Sequence, residues 1–207
     1  MSTDVTLDIT VEDYLRAEAD APERHAFHDG ETFAMAGGST VHALLGTRVA
    51  RLIGNALDGK PCDAVGSDQR IHVDRANISY ADVVVLCPPV ERPPNDRHGA
   101  TNPRAIVEVL SPSTEAWDRG PKFALYKRLP SLVHYVLVAQ DYWQIDHFRR
   151  MDDGSWRMTS HGPGDEVDLD TLGVRFKVDD VYAKVEAFGG PGREAVPRGP
   201  GRSSDVG

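Results

Sequence analysis

Apolar positions along the chain follow two rhythms. Between residues 40 and 57, Val41, Leu44, Leu45, Val49, Leu52, Ile53 and Leu57 recur at helical spacing, which predicts a long amphipathic helix capped by Ser39 or Thr40. Elsewhere the apolar residues gather in short unbroken runs, chiefly Val83–Cys87, Ala105–Leu110 and His134–Ala139. Runs of this length, closed by turn residues such as Ser111-Pro112, read as strands buried on both faces. Residues 8–19 form a short helix with Thr10 as its cap and Asp13 in the first turn. Asp29-Gly30, flanked by residues 25–28 and 32–35, favours a tight hairpin turn. Alternating segments at Trp143–Phe148 and Ser155–Met158 continue as a meander, with short strand material over 167–176 and a closing helix over 178–185.

The informative positions are those that break the rhythm. Glu108 lies inside the run Ala105–Leu110 and, by strand alternation, shares a face with Ile106 and Leu110. An ionised carboxylate there costs several kcal/mol, roughly, unless a cation meets it. Asp82 stands at the mouth of a second apolar run, Tyr80–Cys87. An aspartate at a strand start also serves as a cap, and a strand glutamate also pairs with arginine. Two core strands that each carry one carboxylate are, however, how hard oxygen ligands for a divalent cation are arranged. After the Glu108 strand a helix is expected from a Ser113 or Thr114 cap, its regular part starting near Gly120-Pro121 and ending before Pro130. Lys122 has Leu125, Tyr126 and Leu129 on its own face, so it points at the sheet unless its stem snorkels to the rim. His42, in the first turn of the long helix, either packs at the surface or faces the same site.

Asp82, Glu108 and Lys122 then form one set. The two carboxylates, with the carbonyl of Val109 as a third oxygen, would hold Mg²⁺ or Mn²⁺. Such an ion polarises a phosphoryl oxygen and acidifies a bound water, while Lys122 orients or deprotonates that water. The chemistry expected is hydrolytic phosphodiester cleavage.

Composition narrows the setting. The 207 residues are 40% hydrophobic and 27% charged, which suits one globular domain. No apolar run reaches membrane-spanning length, and residues 1–4 lack the start of a signal peptide. Two cysteines, Cys62 and Cys87, without a CxxC spacing, argue against a disulfide scaffold and fit a reducing, cytoplasmic setting. Net charge of −9 argues mildly against nucleic acid, although a local basic patch can still hold phosphates. At 7% aromatics, the lined groove of a carboxylate-pair glycosidase is not visible. Asp74–Ser79 reads as a turn, and Pro88–Pro103, with five prolines, as a surface loop long enough for a functional or mobile role. Residues 187–207, rich in glycine and proline, read as a disordered tail after a domain over 8–186.

Residues 79–85, 105–114 and 117–126 resemble the putative restriction endonuclease domain family of the PD-(D/E)xK nuclease superfamily, with the hairpin at 25–36 and the His42 helix resembling its N-terminal part. The resemblance implies an α/β, restriction-endonuclease-like fold: a mixed central sheet flanked by helices, here with an N-terminal helix-hairpin-helix extension. It implies metal-dependent endonuclease cleavage of DNA, with Asp82, Glu108 and Lys122 catalytic, Asp82, Glu108 and Val109 at the metal, and His42 against substrate. The E-x-K position is Leu110, and Lys122 fits the displaced lysine of this family. Ala81 replaces the proline of the PD pair, and Ala26 stands where the family pattern carries a glutamate. That last departure opens an alternative: a weakened nuclease-like module that binds nucleic acid or a protein partner. A homodimer is expected where both strands are cut.

Overall fold

The computed structural model describes residues 9–35 and 37–194. Its elements are α1 (Val11–Ala19), β1 (His25–His28), β2 (Glu31–Ala34), α2 (Thr40–Leu57), β3 (Asp63–Val65), β4 (Arg70–His72), β5 (Asn77–Tyr80), β6 (Val83–Leu86), β7 (Gly99–Ala100) and β8 (Ala105–Leu110). There follow α3 (Glu115–Trp117), α4 (Phe123–Tyr126), β9 (His134–Ala139), β10 (Ile145–Arg150), β11 (Trp156–His161), β12 (Glu166–Leu169), β13 (Val174–Lys177) and α5 (Val178–Tyr182). The fold is a mixed α/β architecture with helices flanking the sheets.

The central sheet has the order β11-β10-β9-β8-β6-β3, with β8 parallel to β9 and the other pairs antiparallel. Alternation along β8 sorts its side chains between two cores. Val107 and Val109 face Leu45, Val49, Ile53 and Leu57 of α2, together with β13 and α5. Ile106 and Leu110 face Phe123, Tyr126 and Leu129. Burial on both sides explains why the run is apolar throughout. Each of the four α2 side chains contributes about 1.5–3 kcal/mol by leaving water.

A second sheet, β2-β1-β5-β4-β7, adjoins the first. The chain steps from one to the other between Tyr80, the end of β5, and Val83, the start of β6. Ala81 is fully buried at this step, and Asp82 follows it. The hairpin expected as part of an appended extension belongs to this second sheet, because β1 pairs with β5 through Phe27↔Ile78 and His28↔Asn77. Phe27 and Ile78 join Tyr14 of α1 in a small core of their own.

Several expectations change in detail. Only the start of Asp74–Ser79 is a turn, since Asn77–Tyr80 is a fully buried strand. Its polar residues hid it: Asn77 donates to Asp74 at 2.9 Å, and Ser79 accepts from the Tyr126 hydroxyl at 3.2 Å. The proline-rich loop is anchored rather than loose. Gly99–Ala100 pairs with β4, and buried Asp96 meets Arg70 at 2.9 Å and His72 at 2.8 Å. The helix after β8 starts at Glu115, directly after Thr114 as expected, but Pro121 lies inside a wide turn over Asp118–Lys122 rather than in a first turn, and the regular helix resumes at Phe123. A proline in a regular helix interior would lose a hydrogen bond and strike the preceding turn, and the wider winding relieves both. Cys62 and Cys87 are joined by a disulfide beside the Asp63↔Leu86 pair, so the cysteines give no argument for a reducing compartment. Residues 187–194 of the expected tail are among those described. The Pro191 carbonyl accepts from the Trp143 indole at 3.0 Å, and Arg193 pairs with Asp179 at 2.6 Å. Residues 195–207 lie outside the described residues. Among those described, no helix is long and apolar enough to cross a membrane.

Candidate active site

The seam between the sheets gathers the acids. Glu108, on the face of β8 turned toward α4, is 4% exposed. Its carboxylate lies 2.8 Å from the Lys122 ammonium and accepts from the Tyr126 hydroxyl at 3.2 Å. Lys122 and Tyr126 are four residues apart, which sets their side chains one above the other on a helical face. The lysine therefore faces the sheet and does not snorkel. Asp82 accepts the backbone N–H of Val109 at 2.6 Å, which fixes it beside the residue following Glu108. In an extended strand the N–H and C=O of one residue leave on the same edge, so the Val109 carbonyl is directed toward Asp82 as well.

His42 completes the wall on the α2 side, with its Nε2 3.6 Å from Asp82. The helix is capped by Ser39, whose hydroxyl accepts from the His42 N–H at 3.1 Å. Gly38 passes so close that a Cβ there would lie 2.6 Å from the imidazole Nδ1, so glycine is needed to seat the ring. A cleft of about 710 Å³ opens here, lined by His42, Gly46, Asp82, Asp68, Arg24 and Met35 among others.

Sequence reasoning missed Asp118. It is 3% exposed and lies 3.4 Å from Lys122, one helical turn before it. Its signal was present in the spacing: an acid four residues ahead of a lysine already assigned to the buried face. With Asp118 included, two carboxyl groups contact one ammonium and Asp82 stands beside them, and the fully ionised set of four carries two net negative charges. Burial, opposed by Lys122 but reinforced by Asp82 and Asp118, pushes the Glu108 carboxyl up to about 8. Burial also raises Asp118, against the pull of Lys122. For Lys122 burial acts downward, yet the charges of Glu108 and Asp118 outweigh it and keep the amine protonated.

The donor set fits a hard divalent cation. Its charge deficit is two, its ligands are carboxylate and carbonyl oxygens, and one of the acids, Asp82, lines the cleft. Among the described residues no three His, Cys, Asp or Glu side chains converge as a metal cage. An ion here would thus be held by Asp82, Glu108 and the Val109 carbonyl, with water or substrate oxygens completing its shell.

Comparison with known proteins places these features in context. A family model described as a putative restriction endonuclease, Uma2, matches residues 11–179. The uncharacterized protein slr1290 of Synechocystis sp. (strain ATCC 27184 / PCC 6803 / Kazusa) is 39% identical over 175 residues, covering 84% of this chain and 91% of that one. A second uncharacterized protein of the same organism, sll1609, is 30% identical over 152 residues, covering 73% and 86%. The crystal structure of a putative nuclease belonging to DUF820 from Anabaena variabilis ATCC 29413 superposes with a TM-score of 0.69 at 13% identity, over 86% of this chain and 99% of that one. That likeness is one of fold.

Proposed function

Starting from the fact that this chain belongs to the Uma2 family, described as a putative restriction endonuclease, we propose that it is a divalent-metal-dependent endodeoxyribonuclease hydrolysing DNA phosphodiester bonds. The observation that carries this reading is the buried Glu108–Lys122 pair, 2.8 Å apart, next to Asp82 at an open cleft. Asp82, Glu108 and the Val109 carbonyl would hold Mg²⁺ or Mn²⁺. When bound, such an ion supplies Lewis-acid polarisation of a phosphoryl oxygen and an acidified water.

The protein's own groups divide the remaining work. Lys122 retains its proton, so it acts as a donor: it orients the attacking water and offsets charge on the phosphoryl oxygens. Asp118 gives Lys122 a second anchor that does not depend on Glu108. His42 lines the cleft and would meet the substrate strand there. Water attacks phosphorus and gives up a proton to solvent, a bond from phosphorus to one ester oxygen breaks, and that oxygen takes up a proton from solvent, leaving a hydroxyl and a phosphate monoester. A cut through both strands takes two such sites, so a homodimer is part of this reading.

The test is nicking of supercoiled plasmid with Mg²⁺ or Mn²⁺. Wild type nicks, while folded Glu108→Gln and Asp82→Ala do not; a Glu108→Gln protein as fast as wild type removes Glu108 from the mechanism. One observation favours the weakened-module alternative. Continuing the β1–β5 register sets Ala26 beside Ser79, whose hydroxyl meets Tyr126, so a methyl stands where a carboxylate would extend the site. Calorimetric titration with Mn²⁺ separates the two: no binding, or binding unchanged by Asp82→Ala, favours the module.

A further inference from the structure

Two large apolar side chains lie exposed beside the candidate active site. Phe33 of β2 is 47% exposed and Trp117 of α3 is 40% exposed. Between them lies the His28 ring, its centroid 5.6 Å from each. Its Nδ1 is buried with no hydrogen-bond partner among the described residues, so packing against its neighbours holds the ring. Phe33 is directly opposite Ala26 in the hairpin, and cross-strand partners share a face. The methyl of Ala26 leaves that aromatic face uncovered.

This surface is continuous with the candidate active site. Trp117 immediately precedes Asp118, which contacts Lys122. Burial lowers the His28 pKa, Asn77 opposes it, and the charge of Lys122 adds to the lowering.

Charge decides what such a surface takes. The chain carries a net charge of −9. Both cations that follow Trp117 are engaged in place, Arg119 by Glu115 and Asp146 and Lys122 by Glu108 and Asp118. Phosphate neutralisation, the main source of duplex affinity, is therefore weak here. Stacking of a base on an aromatic ring needs no positive charge, but it does need the base out of its pair.

Resting on the nuclease reading, we propose that Phe33, His28 and Trp117 form a stacking platform for an unpaired nucleobase of the strand being cut, so that single-stranded or frayed DNA is preferred over continuous duplex. The test uses full-length Glu108→Gln protein, which binds without cutting, and fluorescence anisotropy with a labelled oligothymidylate or a blunt duplex of equal length. The oligothymidylate is expected to bind more tightly than the duplex. Trp117→Ala and Phe33→Ala should each weaken it about tenfold, the worth of one base stack, while Trp117→Phe retains it. Both side chains are exposed, so urea midpoints should be unchanged. Tighter binding of the duplex, or unchanged oligothymidylate affinity in Trp117→Ala, overturns the platform. So does unchanged affinity in Trp117→Ala accompanied by conversion of a wild-type dimer to monomers, which would make this face a contact between copies. If wild type cuts no DNA but Trp117-dependent binding persists, the platform stands and the nuclease reading fails.

Discussion

Replacing Glu108 by glutamine should make the metal-free protein more stable while it removes cleavage. The side chain is buried at 4% exposure, and its carboxyl is raised from an ordinary 4.5 to about 8. In the unfolded chain the group is ionised above pH 4.5, whereas in the folded chain it holds its proton up to about pH 8. A raised carboxyl contributes no penalty below its unfolded pKa and a growing one as pH climbs toward the folded value. The slope is about 1.4 kcal/mol per pH unit, so wild type forfeits about 3 kcal/mol by pH 7. Glutamine has the same shape and no proton to retain. The variant also takes Glu108 away from the buried Lys122 ammonium, which keeps Asp118 at 3.4 Å, so the gain is smaller than those 3 kcal/mol.

Urea unfolding in chelator at pH 4.5 and pH 7 reads this directly. The two proteins should nearly coincide at pH 4.5, and Glu108→Gln should lead at pH 7. Mn²⁺ at a thousand times its dissociation constant should then reverse the order, since wild type gains about 4.1 kcal/mol there and the variant gains little. A variant less stable than wild type at pH 7 in chelator, or a gap that does not change with pH, would refute the reasoning.

Two further outcomes follow from neighbouring groups. Asp118→Asn leaves Lys122 anchored by Glu108 alone, and cleavage at saturating metal should fall at least tenfold with Mn²⁺ affinity little changed; an undiminished rate would show that Lys122 needs no second anchor. His134 and His147, 2.9 Å apart, are held down mainly by burial, to about 3 and about 4. Asp170 and Asp168 favour their protonation, while His161, Arg149 and Arg104 oppose it. Their contribution is therefore complete above pH 6.5 and declines as pH falls toward 4, by roughly 2 kcal/mol each at pH 5. Urea titrations in the Glu108→Gln background, where Asp118 is the remaining raised carboxyl of the site, should show that decline, and constant stability from pH 7 to 5 would contradict it.

What could be read from the sequence was what repeats or what clashes. The 3.6-residue rhythm of α2 and the unbroken run of β8 are repeats, and both elements stand where that reading put them. Glu108 clashes with its surroundings, and a lysine on an apolar helical face clashes likewise. Each clash asks for a partner, and they answer one another at 2.8 Å. Asp118 went unread for the opposite reason. On an irregular segment around Pro121, an acid between Trp117 and Arg119 violates nothing by itself, and only its four-residue spacing from Lys122 marks it.

β5 was missed on similar grounds. Asn77 and Ser79 resemble turn residues until Asp74 and Tyr126 arrive from elsewhere to satisfy them. The Phe33–His28–Trp117 cluster is the harder case, since it joins an edge strand to a helix 84 positions further along, and no local pattern encodes that meeting. A site made of misfits can be found before the fold is known, because burial cost marks each residue singly. A surface made of residues that are individually ordinary exists only once the fold has brought them together. That is why the acids and the lysine could be named in advance, and the platform beside them could not.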